Sequence, residues 1–150
     1  DPVVLMDWHA DWENAQAIPV VASPACSAEQ RQAVELFLIG MDMIPIWSKD
    51  HPGLYVIRSI AMLVNEACEA VLHAIASEQD IDSAMKYGVN YPCGPFEWAD
   101  RIGYYTILQI LENMYRIYGE DRYRTSIYLA KKAVQGHAQE TQQQPLRVAG

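Results

Sequence analysis

Cysteine is scarce in this sequence, and its three copies, Cys26, Cys68 and Cys93, form no Cys-x-x-Cys pair. Three scattered cysteines exclude a fold built on a disulfide framework and indicate a reducing compartment. The sequence also lacks an N-terminal signal peptide and an apolar run long enough to cross a bilayer, because polar and charged residues interrupt the most apolar segment, 54–76. We therefore expect a soluble, cytoplasmic protein.

Basic clusters are equally scarce, since the pair Lys131-Lys132 is the largest one and the formal net charge is −8. An acidic surface repels phosphate on average. This excess of acid argues against nucleic acid and anionic membranes as partners.

A glycine-rich phosphate-binding loop is absent as well. The eight glycines include no two that are separated by a single residue, so the pattern Gly-x-Gly-x-x-Gly does not occur. That pattern supplies the backbone amides that hold the pyrophosphate of a dinucleotide at the start of a helix. We therefore expect that this chain alone binds no dinucleotide in the usual way.

The composition is that of a globular protein, because 51% of the 150 residues are hydrophobic and 20% are charged. A chain of this length can bury a sizeable core in one domain or in one and a half domains. It opens at Asp1-Pro2 without a methionine, so we expect it to be a piece of a longer protein.

The first 50 residues predict a small α/β unit. Ser27 and Gln30 have the spacing of a capping box, and Gly40 is placed to end the helix that they begin. Pro19 suits an edge strand or the start of a strand. Three β-rich runs surround this helix: residues 3–6, 18–21 and 43–47. Strand, helix and strand in this order are typical of the end of a doubly wound α/β domain.

The rest of the chain predicts a mainly α fold. Gly119 and Gly136 are placed to end two of its helices, and residues 137–150 have no hydrophobic period, so we expect a flexible tail. Asn65 and Glu66 fall opposite the apolar stripe of the longest helix. The expected helices are about 54–76, a helix capped by Ser77 and Asp80 that runs to Tyr87, then 104–118 and 126–135.

Residues 88–103 hold four backbone-restricting residues within eight positions, more than a plain helix linker needs. We expect Gly88 to close the preceding helix with a positive φ and Pro92 to extend the residue before it. Gly94 lets the chain come close to a neighbour, and Pro95 suits the first turn of a short helix. The segment is therefore predicted to be a shaped turn.

The same segment carries a family resemblance. Its pattern Tyr-Pro-x-Gly-Pro-Phe-Glu-x-x-Asp, over residues 91–100, resembles the C-terminal helical domain of NAD-dependent 3-hydroxyacyl-CoA dehydrogenases of the 3-hydroxybutyryl-CoA dehydrogenase type. Similar motifs occur in the family's order at residues 50–58, at 65–67 and at 81–88. Several motifs in one order and spacing are more specific than any single motif.

The resemblance implies a helical bundle of the 6-phosphogluconate-dehydrogenase C-terminal-domain type over residues 51–136. In front of it, residues 1–50 would be a truncated Rossmann-like βαβ segment, and the whole would be the second, degenerate copy in a tandem-domain enzyme. The implied parent oxidises (3S)-3-hydroxyacyl-CoA with NAD. The residues that the resemblance places at an acyl-CoA cleft or a subunit interface are Pro52, Gly53, Arg58, Asn65, Glu66, Tyr91, Pro92, Gly94, Pro95, Phe96, Glu97 and Asp100.

Catalysis by this chain alone is not expected. In the family a His held by a Glu is the general base. An Asn supports the substrate carbonyl, and it stands directly before the Arg that corresponds to Arg58 in the motif at residues 50–58. That Asn position is Ile57 here, which offers no donor. His9 lies within a residue or two of the family's His, but Pro19 and its neighbours stand where the Glu should be, and the register of Glu13 is unsupported. His9 is therefore a weak candidate.

Other chemistry-bearing residues have a structural alternative. His73 and Glu69 are spaced as an acid–base or metal pair, yet no further ligand stands at a suitable spacing, so a solvated ion pair is the preferred interpretation. Cys93 would be a reactive thiol if the helix beginning at Pro95 lowered its pKa, whereas packing is the default. The aromatic residues around the turn either stack on a ligand or form core and interface: Tyr91, Trp98, Tyr104 and Tyr105.

The sequence thus predicts a non-catalytic part of an NAD-dependent enzyme, which shapes the acyl-CoA cleft, mediates association, or both. Its expected partners are the parent's acyl-CoA substrate and either a second copy or the parent's first helical domain. The alternative is a purely structural dimerisation domain without substrate contact. No metal site and no cofactor bound by this chain alone are expected.

Overall fold

A computed structural model of the chain describes residues 1–9 and 15–143. These residues form two compact units, which divide between Ser59 and Ile60. A small α/β unit comes first and helices follow, which confirms the mainly α fold class with an α/β remnant in front. Within the described part of the chain, no helix is long and apolar enough to cross a membrane.

The first unit is a three-stranded sheet with one covering helix. Its elements are β1 (Val4–Met6), β2 (Ala17–Ala22), α1 (Ala28–Ile39) and β3 (Ile44–Trp47). The strand order is β1-β2-β3, in which β1 is antiparallel and β3 is parallel to β2. The parallel pair joined by α1 confirms the predicted strand–helix–strand unit, and its core is formed by Ile18, Val20 and Leu38.

Pro19 does not lie in an edge strand, because β2 is the central strand of the sheet. It does not begin a strand either, because it is the third residue of β2, so both predicted positions were wrong. The hydrogen bonds explain why a proline is tolerated there. Ile44 N–H donates to Gln16 O and Ser48 N–H donates to Val20 O, so the even-numbered residues of β2 bond to β3. Pro19 faces β1 instead, where its carbonyl accepts from Asp7 N–H at 2.9 Å just beyond the end of that strand. Its missing N–H therefore costs no bond to β3.

Both ends of α1 agree with the sequence. Ser27 Oγ accepts from Gln30 N–H at 3.2 Å, and Gln30 Oε1 accepts from Ser27 N–H at 2.9 Å, which confirms the capping box. Gly40 follows the last helical residue and donates its N–H to Leu36 O.

Helices make up the second unit. They are α2 (Val56–Leu72), which begins in the first unit, α3 (Glu78–Gly88), α4 (Pro95–Ile102), α5 (Tyr104–Tyr118) and α6 (Ile127–Gln143), with a 3₁₀ turn at Asp121–Tyr123. Buried side chains of α2, α5 and α6 include Val64, Ile107, Leu111, Met114 and Leu129. The capping box at Ser77 and the end of α5 at Gly119, with φ +64°, are both confirmed.

Gly136 does not end the last helix, because α6 continues to Gln143. An interior glycine costs a helix only about 1 kcal/mol relative to alanine. The residues that follow Gly136 include alanine, glutamine and glutamate, which favour helix, so the predicted stop was wrong. Residues 144–150 of the predicted tail lie outside the described residues.

Candidate functional site

The turn between α3 and α4 is built on Asp82, a residue that the sequence did not single out as functional. Asp82 is only 9% exposed. Its Oδ1 accepts from Phe96 N–H at 2.9 Å, and its Oδ2 accepts from Glu97 N–H at 3.2 Å. It thus satisfies two amides at the start of α4 from a neighbouring helix. Burial, opposed by these two donors, raises the pKa of the Asp82 carboxyl.

Gly94 is the point of closest approach in this turn. A Cβ added to Gly94 would lie 2.2 Å from Asp82 Cγ and 2.3 Å from its Oδ1, so no side chain fits there. The predicted close approach is confirmed, with Asp82 as the neighbour. Pro95 then occupies the first turn of α4, as its position in the sequence predicts.

Glu97 ties the turn together from the other side. Its Oε2 accepts from Gly94 N–H at 3.0 Å and lies 3.3 Å from Cys93 Sγ, while Oε1 binds Lys86 Nζ of α3. The bond from Lys86 is the largest cause that lowers the pKa of Glu97 to about 2, and the same bond raises the pKa of Lys86. The resemblance placed Glu97 at an acyl-CoA cleft or a subunit interface, and nothing in the sequence indicated its bonds to Lys86 and Gly94.

Cys93 is buried within this network. Burial and the neighbouring Glu97 carboxylate raise the pKa of Cys93 to about 11, so the thiol is protonated at neutral pH. A reactive thiol would need a lowered pKa, and burial raises the pKa of Cys93 instead. The packing interpretation stands.

The prediction that Gly88 closes α3 with a positive φ was wrong. Gly88 is the last residue of α3, and Asn90 takes the positive φ, at +58°. Asparagine tolerates the left-handed region better than most residues, so glycine is not required there. Pro92 is exposed, while Tyr91 packs its ring against buried Trp98 with the ring centroids 5.7 Å apart.

The other two aromatic residues of the group lie at the start of α5. Tyr104 and Tyr105 line a cavity of about 320 Å³ together with exposed Asp100. The Tyr104 hydroxyl is hydrogen-bonded to Asp100, and burial is the largest cause that raises the pKa of Tyr104. Lys132 Nζ lies 5.3 Å from the centroid of the Tyr104 ring.

Asn65 is buried at 3% exposure, although the sequence placed it on the outer side of its helix. Its Oδ1 accepts from Ser126 N–H at 2.8 Å, and its Nδ2 donates to Arg124 O at 3.0 Å. These bonds fix the segment before α6 against α2, which explains why a polar side chain is buried here. Glu66, by contrast, is exposed as expected.

The residues on either side of the family's Asn position lie around the amino end of α2. Pro52 is exposed, Gly53 takes a φ of +87°, and Arg58 is half-buried. Ile57 is half-buried as well, and its N–H donates to Asp7 Oδ1 at 3.2 Å. Its side chain offers no hydrogen-bond donor to a substrate carbonyl.

The two histidine candidates are far from equivalent. His73, directly after the end of α2, has its Nε2 3.5 Å from Glu69 Oε2 in the last turns of that helix, which confirms the predicted pair. His9 is half-buried in the segment after β1, and Glu13, considered as its partner, lies outside the described residues. Among residues 1–9 and 15–143, no group of three or more metal-ligating side chains is present.

The connection between β2 and α1 does not fit the pyrophosphate of a dinucleotide. No glycine occurs in residues 23–27, and Ser27 Oγ already takes the Gln30 amide at the start of α1. Glu29 adds a carboxylate in the first turn of α1, and its hydrogen bond with Ser27 lowers its pKa, so it remains charged. A phosphate at this helix end would meet a like charge.

Comparison with known families agrees with this architecture. The family described as "3-hydroxyacyl-CoA dehydrogenase, C-terminal domain" matches residues 53–147, and the "3-hydroxybutyryl-CoA dehydrogenase reduced Rossmann-fold domain" matches residues 1–52.

Individual relatives support the same assignment. The chain is 40% identical over 133 residues to 3-hydroxyadipyl-CoA dehydrogenase of Escherichia coli K12, which is 89% of this chain and 27% of that protein. It is 33% identical to a probable 3-hydroxybutyryl-CoA dehydrogenase of Deinococcus radiodurans over 81% of this chain and 44% of that protein.

A solved structure, 3-hydroxybutyryl-CoA dehydrogenase from Escherichia coli K12, superposes with a TM-score of 0.83 and 35% identity, over 92% of this chain and 28% of that one. The chain therefore spans less than half the length of each of these three relatives. With family matches over residues 1–147, it belongs to the 3-hydroxyacyl-CoA dehydrogenase family, as a C-terminal domain preceded by a reduced Rossmann-fold domain.

Proposed function

We propose that this chain is the C-terminal part of a 3-hydroxyacyl-CoA dehydrogenase whose whole polypeptide oxidises (3S)-3-hydroxyacyl-CoA to 3-oxoacyl-CoA. The hydride acceptor is NAD, bound by a part of the enzyme outside this chain. The family matches support this proposal. A cytoplasmic location remains a prediction from the sequence.

The isolated chain is proposed to be non-catalytic. Two features support this. Ile57 stands at the family's Asn position and cannot donate to a carbonyl oxygen. The amino end of α1 is already capped by Ser27, and the Glu29 carboxylate in its first turn would repel a pyrophosphate.

Its role in the parent enzyme is to shape the acyl-CoA cleft through the turn between α3 and α4. The observation that supports this role is the set of four hydrogen bonds that hold the start of α4. Asp82 accepts two of them from backbone amides of α4, and Glu97 accepts the other two, from Gly94 N–H and Lys86. A turn held on both sides presents its outer residues in one conformation.

The second candidate is a purely structural association domain, with a second copy or the parent's first helical domain as partner. Four large apolar side chains of α5 and α6 favour it, because they are more than two-fifths exposed: Tyr115, Ile117, Ile127 and Val134. An exposed apolar patch to which such side chains contribute is a feature of protein interfaces.

Titration of the purified chain with acetoacetyl-CoA, with and without NADH, distinguishes the two candidates through tryptophan fluorescence. The chain has four tryptophans, so Trp98→Phe identifies the signal that comes from the turn. Under the cleft proposal we expect saturable quenching by the CoA ester alone, lost in Trp98→Phe and weakened in Gly94→Ala. Gly88→Ala, at a position with open space around it, is the matched control.

Absence of a response to either ligand would refute substrate contact and leave association as the role of the chain. Its mass in solution then tests the association proposal. A monomer at concentrations where the parent assembles would contradict homo-oligomerisation and leave pairing with another domain to be tested by mixing.

A further inference from the structure

The amino end of α2 is filled by a carboxylate from the chain itself. Asp7, which follows β1, is 2% exposed. Its Oδ2 accepts from Tyr55 N–H at 2.8 Å and Val56 N–H at 2.6 Å, and its Oδ1 accepts from Ile57 N–H at 3.2 Å. A fourth donor, the N–H of Trp8, reaches Oδ1 at 2.7 Å.

These donors are the groups that a helix leaves unsatisfied at its amino end. Tyr55, Val56 and Ile57 span the start of α2, where backbone N–H groups and the helix dipole together attract anions. Ser, Thr, Asp or Asn within a few residues commonly satisfies such donors. Here the acceptor comes from a residue 48–50 positions earlier in the chain.

The backbone on either side is shaped to make this contact. Gly53 and Leu54 take φ values of +87° and +52° in succession, which turns the chain directly before the three donating amides. On the other side, Asp7 N–H continues the β1–β2 pairing by donating to Pro19 O at 2.9 Å. One residue thus joins the sheet of the first unit to the start of α2.

We infer that Asp7 is an internal anionic ligand, which takes the three amides at the amino end of α2 and closes that helix end to any external carboxylate or phosphate. The inference goes beyond the proposed function, because it concerns this helix end whether or not the chain contacts a substrate. The same contact removes the last hydrogen-bond donor at position 57. The Ile57 N–H is bonded to Asp7 and its side chain is apolar, so Ile57 has no donor left for an external anion.

Chemical rescue tests this inference. Asp7→Gly removes the carboxymethyl group and leaves the three amides of α2 without that acceptor, beside a space that a small carboxylate fits. Thermal unfolding of the full chain is followed at pH 7 in a titration with sodium formate, against sodium chloride at the same ionic strength. Asp50→Gly is the matched control, since it makes the same substitution at an exposed residue of the first unit.

The expected result is a lower Tm for Asp7→Gly, part of which formate restores saturably and chloride does not. The original chain and Asp50→Gly should show the same response to formate as to chloride. An equal effect of formate and chloride on Asp7→Gly would overturn the inference, as would a formate-specific rise in the original chain, because that helix end would then not be closed.

Asp7→Ala serves as the second variant if Asp7→Gly does not fold, because it keeps the Cβ and lowers the backbone entropy of the unfolded chain. The same formate-specific rise is expected. Its absence from a folded Asp7→Ala would also count against the inference.

Discussion

Replacement of Gly94 by alanine isolates the contact on which the α3–α4 turn depends. Gly94 has a φ of −77°, which any residue adopts, so the substitution introduces no backbone strain of its own. The added Cβ would lie 2.2 Å from Asp82 Cγ and 2.4 Å from its Cβ, distances at which atoms cannot remain. Asp82 must move away, and with it the carboxylate that accepts from Phe96 and Glu97.

The cost follows from the two bonds that are lost. A hydrogen bond to a charged group contributes about 1.5–3 kcal/mol, so at the lower figure the loss of both destabilises the chain by about 3 kcal/mol. For a chain of this size that corresponds to a fall in Tm of about 6–12 °C. Gly88→Ala should instead stabilise by about 0.5–1 kcal/mol, because nothing lies within 4 Å of its added Cβ in a helical position.

Urea unfolding of both variants, followed by circular dichroism, measures the difference. Combining Gly94→Ala with Asp82→Gly gives a double-mutant test. In the Asp82→Gly background the clash is absent, so Gly94→Ala should lower the free energy of unfolding much less than it does in the original chain. Equal stability of Gly94→Ala and Gly88→Ala, or an unchanged cost in the Asp82→Gly background, would refute the contact as the cause.

Three further predictions concern other residues of the described structure. Asn65→Leu should lower the free energy of unfolding by about 2–4 kcal/mol in urea, since it leaves the buried Ser126 N–H and the part-buried Arg124 carbonyl without their partner, whereas exposed Glu66→Ala should stay within about 0.5 kcal/mol. Similar losses in the two variants would contradict the burial of Asn65. Because the pKa of Glu97 is lowered to about 2, its contribution is present above its unfolded pKa of 4.5 and is lost as pH falls toward 2. The pH dependence of unfolding between these values should therefore be shallower in Glu97→Gln, and an unchanged slope would exclude Glu97 as its source. Cys93, with a pKa raised to about 11, should react with iodoacetamide at pH 8 far more slowly in the folded chain than in urea, as followed by peptide mass spectrometry; comparable rates would show that the thiol is accessible.

Signals that act over three or four residues predicted the secondary structure well. The pairs Ser27–Gln30 and Ser77–Asp80 fixed two helix starts, and Gly119 fixed the end of α5, because the bonds involved join near neighbours in the sequence. Gly136 failed as a stop because a glycine ends a helix only when the residues after it do not favour helix.

The polar contacts that position the candidate site were not predictable in the same way. Asp82 looks in sequence like exposed Asp80, two residues earlier on the same helix. Asn65 likewise appeared to belong to a polar helix face, although its partners lie 59 and 61 residues further along the chain. Periodicity locates a polar residue on a face, but it does not say whether another segment with unsatisfied amides will cover that face.

The sequence by itself determined the order and type of the elements, the shaped turn at residues 88–103 and, through motifs in a fixed order, the family. Tertiary structure alone decided which carboxylate fills which helix end: Asp82 at α4 and Asp7 at α2. The physical reason is that a helix start requires an acceptor but does not specify its source. Only the packed chain selects a donor–acceptor pair that is 14 or 49 residues apart in sequence.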